Sequence, residues 1–151
     1  MYILILILFY NFFAAELDSI RGALINDMVS KRKADDLFKY LKKTDDEELY
    51  YAAFNLLAFY GQDDLIGDYL DQFKEKINLA KLDKNGLTAL HYAVYNGSVS
   101  VARTLISKGF PTDIQDSKGQ GFVDFVSKNC RSPLFLETLA ISLPNLKLNS
   151  K

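Results

Sequence analysis

One cysteine, one histidine and no tryptophan occur among the 151 residues, and each scarcity removes a class of chemistry. A disulfide needs a second sulfur in the same chain, and a zinc site built from Cys and His needs four ligands. An enzyme of the Ser-His-Asp or Cys-His kind would rest on His91 alone. An excess of one charge is missing as well. Eighteen Lys and Arg against nineteen Asp and Glu leave a formal charge of −1, so no net field draws the chain onto nucleic acid or an anionic membrane. What is plentiful is apolar surface: 49% of the residues are hydrophobic, including nine Tyr and eleven Phe. That content excludes a disordered chain and suffices for the core of one ordinary domain.

The apolar residues are unevenly spread. Met1 to Ala15 reads MYILILILFYNFFAA, without a charge and with Asn11 as its one polar residue, and the chain turns polar at Glu16. As a helix this run reaches about 22 Å at 1.5 Å per residue, short of the roughly 30 Å hydrocarbon core of a bilayer. The apolar stretch of a secretory signal fits it better, although no Lys or Arg precedes the run and Phe13 would stand three residues before a cleavage at Ala15. The expectation is a cleaved signal peptide and a secreted or secretory-pathway protein. An uncleaved membrane anchor and a buried N-terminal segment are the alternatives. Export would carry a single thiol, Cys130, into an oxidising compartment, which favours its burial.

A repeat is written in the second half. Asp83-Lys84-Asn85-Gly86 returns as Asp116-Ser117-Lys118-Gly119, thirty-three residues later, and the stretch between holds Gly97 and Gly109. Asp83 can accept local backbone N–H bonds and Gly86 tolerates a left-handed turn position. Thr88 then caps a helix. Ala89 and Ala93, four apart, give that helix a small-residue face that a neighbour can approach closely. Gly97 lets the chain reverse, and Val99, Val101, Ala102, Leu105 and Ile106 form the apolar side of a second helix. Gly109 suits its C-terminal cap, and Pro111 stops continuation. These residues make a helix-turn-helix-loop unit, and they resemble the ankyrin repeat. Thr88-Ala89-Leu90-His91-Tyr92-Ala93 stands where that family has threonine-proline-leucine-histidine-x-alanine, with Ala89 in place of proline.

The register runs backwards from Gly97 to Gly61, so that Ala53-Phe54-Asn55-Leu56-Leu57 matches Ala89 to Ala93, and Leu65, Tyr69 and Leu70 match Val101, Leu105 and Ile106. Further upstream Leu17, Ile20, Leu24, Ile25 and Met28 have helical spacing, as do Leu37, Tyr40 and Leu41, a pair without the consensus, as expected of a terminal cap. Downstream, Gly121 to Val126 keeps the spacing, and a last helix is predicted over roughly Ser132 to Leu143, with Pro133 in its first turn and Pro144 at its end. The predicted fold is all-α, an ankyrin-repeat solenoid of about four helix-turn-helix units. Its domain spans 16–143, with pairs at about 17–43, 48–78, 83–115 and 116–143, ahead of a loose tail at 144–151.

Candidate chemistry is sparse. The resemblance implies for His91 a structural role, hydrogen-bonding backbone between neighbouring repeats, and no nucleophile-base set assembles around it. Asp45-Asp46-Glu47-Glu48 and Asp63-Asp64 read as helix starts, where the N-terminal partial charge favours carboxylates. Lys31-Arg32-Lys33, with Lys39, Lys42 and Lys43, reads as a solvated face, or else as the seat of an anionic partner. The glycines do not form a phosphate-binding loop. No catalytic residue, cofactor or metal is predicted.

The resemblance places recognition at turn tips and on the exposed side of each first helix. Carried over, these positions are Lys84, Asn85, Leu87, Tyr92, Tyr95 and Asn96 in the clear repeat, and Tyr51, Leu56, Phe59 and Tyr60 in the one before. The following repeat supplies Ser117, Lys118, Gln120, Phe125, Lys128 and Asn129. The framework residues are Asp83, Gly86, Thr88, Ala89, Leu90, His91, Ala93, Gly97, Gly109, Asp116 and Gly119. The expected function is non-catalytic binding of a protein partner, of identity not specified by the sequence, through a concave face on which Tyr51, Phe59, Tyr60, Tyr92, Tyr95 and Phe125 lie near one another; the other reading of these aromatics is that they pack against each other or under a loop. The alternative is a membrane-tethered structural or oligomerising module, with contact to a membrane only if residues 1–15 are retained. No nucleic-acid partner is expected.

Overall fold

The computed structural model describes residues 4–5, 20–130, 132, 134–143 and 145. The leader apart from Leu4 and Ile5, the position of Leu17, both Pro133 and Pro144, and the tail apart from Asn145 therefore lie outside the described residues. Among the described residues there are eight α-helices and no strand. The helices are α1 (Ile20–Ser30), α2 (Ala34–Leu41), α3 (Glu47–Phe59), α4 (Asp63–Phe73), α5 (Ala89–Tyr95), α6 (Val99–Ser107), α7 (Phe122–Asn129) and α8 (Phe135–Ser142), with a 3-10 turn at Lys74–Lys76. The chain divides into two compact units, residues 1–53 and 54–151.

In the first unit α1 packs on α2. Ile25, Met28 and Val29 of α1 and Leu37, Phe38 and Leu41 of α2 are buried, while Leu24, expected in the apolar stripe, is 42% exposed. The hairpin closes with Arg32 in the left-handed region (φ 54°), the Lys33 N–H donating to Met28 O at 2.8 Å and the Arg32 N–H to Val29 O at 3.0 Å. That pair of bonds satisfies carbonyls a helix end leaves open. Lys31 and Lys33 both pair with Asp27, and the Lys31 contact above all holds the Asp27 carboxyl below the usual carboxylate range. The Tyr50 hydroxyl shares its one proton between Leu41 O (2.8 Å), at the end of α2, and Thr44 O (3.0 Å), just beyond it. The acidic run starts α3 as its composition suggests: Glu47 and Glu48 occupy the first turn, and Asp46 Oδ1 accepts the Glu48 N–H at 3.1 Å.

The second unit is built in two rows. Its second helices α4, α6 and α8 pack one on the next, and its first helices α5 and α7 pack on each other, with α5–α6 and α7–α8 joined as hairpins. Ile66, Tyr69, Leu70 and Phe73 of α4, Val101, Ala102 and Leu105 of α6, and Phe135 and Leu139 of α8 are buried along the first row. Each of the Val, Leu, Ile and Phe side chains among them contributes about 1.5–3 kcal/mol by leaving water. Gly61 and Gly97, thirty-six apart, reverse the chain at φ 68° and 66°, so the register read from the sequence is also a register of backbone conformation. The row is tied on its flank by the Lys108–Asp71 ion pair and by Lys74 Nζ donating to Lys108 O at 2.8 Å.

The last pair departs from the pattern. Helix α8 covers Phe135–Ser142, shorter than expected. Cys130, at the position of Gly97, is half-buried instead of buried and ends α7 with φ −88°, an ordinary extended geometry in place of a left-handed turn.

Candidate partner-binding face

The two turns of the second unit repeat bond for bond. Asp83 Oδ1 accepts the Asn85 and Leu87 N–H groups at 2.9 and 3.0 Å, and Asp116 Oδ1 accepts those of Lys118 and Gln120 at 2.9 Å each. The backbone closes the same way, Gly86 N–H to Asp83 O at 2.9 Å and Gly119 N–H to Asp116 O at 3.0 Å. The Ser117 N–H donates to Gly86 O at 3.1 Å, which sets neighbouring turns side by side. Both aspartates are thus spent on their own turns, and the exposed charges at the tips are Lys84 and Lys118.

Gly86 and Gly119 provide a matched pair, with φ of 71° and 74°. A Cβ on Gly119 meets nothing within 4 Å, whereas one on Gly86 falls 2.0 Å from Ser117 Oγ and 3.0 Å from the Ser117 nitrogen. Gly119→Ala is expected to cost about 1–2 kcal/mol from the left-handed backbone alone. Gly86→Ala should cost clearly more in urea denaturation, because the adjoining turn has to move, and Ser117→Gly should recover part of that excess. Equal costs would contradict the stacking of the turns.

Thr88 begins α5 with a reciprocal cap: its side chain accepts the His91 backbone N–H, and His91 Nδ1 accepts the Thr88 backbone N–H at 3.0 Å. The bond requires Nδ1 to be unprotonated, which leaves the proton of the neutral ring on Nε2. Buried Nε2 makes no hydrogen bond among the described residues. The expected bond from His91 to backbone between repeats is therefore absent from the described structure. The ring lies edge-on to Phe125 of the next repeat instead, with centroids 4.6 Å apart. Burial pushes His91 down to about 4, with Asp116 pulling the other way.

The expected exposed aromatic face is corrected by burial. Tyr92 is 0% exposed, Phe125 2%, Phe59 6% and Leu87 6%, and Leu56 is also buried. The reason is the row: α5 has neighbours on several sides, so Ala89 through Val94 are all buried and the helix has no solvent face until Tyr95. Tyr92 is a bridge to the turn, its hydroxyl donating to Asp83 Oδ2 and accepting from Asn85 Nδ2 at 3.1 Å. Burial raises the Asp83 carboxyl above its usual range, against the lowering effect of the Tyr92 bond and two backbone N–H groups. Sequence reasoning missed this bridge, since no helical or turn periodicity links positions nine apart.

Other expected residues remain accessible. Lys84, Asn96 and Lys118 are exposed, as are Ser117 and Lys128. Tyr60, Asn85, Tyr95, Gln120 and Asn129 are half-buried. Tyr60 stands edge-on to Phe59 at 5.4 Å and Tyr95 edge-on to Phe125 at 5.3 Å. Phe59 in turn meets Tyr92 at 6.5 Å. The Asn96 amide lies over Gly61, where a Cβ would fall 2.2 Å from its nitrogen. Tyr51, half-buried, belongs to the first unit.

No group of three or more His, Cys, Asp or Glu side chains among the described residues could hold a metal ion. No helix of the described residues is long and apolar enough to cross a membrane. Paired helices stacked in two rows, with a repeated aspartate-glycine turn between them, define a helical repeat protein. The family described as ankyrin repeats (many copies) matches residues 49–106, and that stretch of the chain is built of ankyrin repeats. Repeats of this family are in general protein–protein interaction modules. No curated protein matches the chain.

Proposed function

We propose that the chain is a non-catalytic module that binds a protein partner through the first helices and turn tips of its second unit. The anchors are Tyr60 and Tyr95, with Asn96 beside Tyr95 in the chain and Lys84, Asn85 and Lys118 at the turn tips as further contacts. What supports this reading most is the seating of the two tyrosines. Each is half-buried with its ring fixed edge-on against a buried phenylalanine, so little side-chain freedom is lost when a partner covers it. Tyrosines held in this way are frequent interface anchors, each worth about 2 kcal/mol or more, or roughly 30-fold in affinity.

The test is capture of partners by the full chain and by a Tyr60→Ala/Tyr95→Ala variant, with thermal unfolding recorded for both. The expected result is a protein retained by the wild type and lost by a variant that still unfolds cooperatively. An unchanged captured set, with Lys84→Ala/Lys118→Ala also unchanged, would refute the face. The proposal includes export, on the uncharged run Met1–Ala15. Sequencing of the mature N-terminus should begin after residue 15, and retention of those residues would favour a membrane-tethered module.

A further inference from the structure

Asn-Gly occurs twice in the sequence, at Asn85-Gly86 and at Asn96-Gly97, and the fold treats the two pairs differently. Glycine offers no side chain to shield its nitrogen, so such pairs are prone to a spontaneous reaction. The glycine nitrogen, having lost its proton to base, attacks Cγ of the asparagine. The Cγ–Nδ2 bond breaks, ammonia leaves with a proton taken from water, and a cyclic imide forms. Water then opens the imide at either carbonyl to give aspartate or isoaspartate. The net change is asparagine plus water to an acid plus ammonia.

Reaction requires the asparagine amide to turn onto the next nitrogen. At Asn85 three bonds oppose that turn. Its Nδ2 donates to the Tyr92 hydroxyl at 3.1 Å, its backbone N–H donates to Asp83 Oδ1 at 2.9 Å, and the attacking Gly86 N–H donates to Asp83 O at 2.9 Å. Gly86 is itself buried beneath the neighbouring turn at Ser117. At Asn96 the restraints are one helix end and the packing of its amide over Gly61, with no side-chain hydrogen bond among the described residues to hold it there. Its backbone is helical (φ −80°, ψ −8°), its N–H bond to Tyr92 O is long at 3.3 Å, and Gly97 N–H reaches Val94 O at 2.9 Å. Asn96 and Gly97 are both exposed, and nothing lies within 4 Å of the Gly97 Cβ direction. Fraying of a final turn is among the least costly motions of a folded chain.

We infer that Asn96 is a site of spontaneous deamidation in the folded protein, and that the Tyr92 hydroxyl protects Asn85 from the same reaction. The product sets a carboxylate beside Tyr95 and over Gly61, and the isoaspartate form adds a backbone atom where Gly97 turns at φ 66°. Folded full-length protein is incubated in mildly alkaline buffer and mapped by peptide mass spectrometry, beside a sample in concentrated urea that gives the intrinsic rates. In urea both pairs should convert at comparable rates. In the folded sample acid should accumulate at position 96 at least tenfold faster than at position 85, and Tyr92→Phe should narrow that ratio by accelerating position 85. Equal rates at the two positions of the folded wild type, or an Asn96 that stays amide while the urea sample converts, would overturn the inference. Should Tyr92→Phe prove unfolded, the wild-type ratio alone decides.

Discussion

Replacing Tyr92 with alanine is expected to remove about 4 kcal/mol of unfolding free energy. The ring is fully buried between neighbouring repeats, against Phe59, and truncation of a buried aromatic costs about 3–5 kcal/mol through lost transfer energy and the cavity left behind. Tyr92→Phe isolates the hydroxyl. That variant keeps the packing but leaves Asp83 Oδ2 and Asn85 Nδ2 without their tyrosine partner, and loss of a bond to a charged group costs about 1.5–3 kcal/mol. Urea unfolding should rank the wild type above Tyr92→Phe and Tyr92→Phe above Tyr92→Ala. A Tyr92→Ala variant as stable as the wild type would mean that the ring lies in solvent, as the sequence pattern first suggested.

Acid should weaken the fold through His91, with a loss of about 3 kcal/mol as pH falls from 6.5 to 4. The imidazole is pushed down from the ordinary 6.5 to about 4, first by burial, with Asp116 opposing. A group whose pKa is lowered on folding binds its proton more tightly in the unfolded chain. The neutral ring's contribution is therefore complete above pH 6.5 and disappears toward pH 4, since each tenfold difference in proton affinity between the folded and unfolded chain is worth about 1.4 kcal/mol. Protonation also fills Nδ1 and so removes the acceptor that holds the Thr88 N–H. Asp83, raised by burial, acts in the opposite sense as pH rises through its folded value, so the clean quantity is a difference between variants. His91→Gln preserves a capping side chain at that position and does not titrate. It should be less stable at pH 7 and show a flatter stability profile between pH 6.5 and 4. A parallel profile would show that His91 does not titrate in this window.

Much of the fold was legible because its signals are local. Asp83 to Gly86 and Asp116 to Gly119 each specify a turn by a side chain that bonds its own backbone, and both turns form with the same bonds. Thr88 with His91 specifies a helix start, and the glycine register predicts where the chain reverses. The accessible face was harder to read. A seven-residue helix such as α5 is less than two full turns of useful periodicity, and a helix enclosed on most sides has no polar stripe to mark its orientation. Tyr92 and Tyr95 are three apart, yet one faces the turn and the core and the other the rim. The hydroxyl on tyrosine gives no help, since it is equally satisfied by water or by a buried carboxylate such as Asp83. At position 130 the register failed for a chemical reason: cysteine stands where the left-handed turn wants glycine, and the helix ends another way.

Tyr60 and Tyr95 as the recognition anchors, with Tyr92, Phe59 and Phe125 as the platform beneath them, can be tested by measuring partner affinity and unfolding free energy on the same set of variants. Tyr60→Ala/Tyr95→Ala should lose binding by more than 100-fold, about 3 kcal/mol or more, while still folding cooperatively, and Tyr92→Phe should lose stability while retaining affinity once folded. The opposite pattern, with affinity lost at Tyr92→Phe and kept in the Tyr60/Tyr95 double variant, would contradict this assignment.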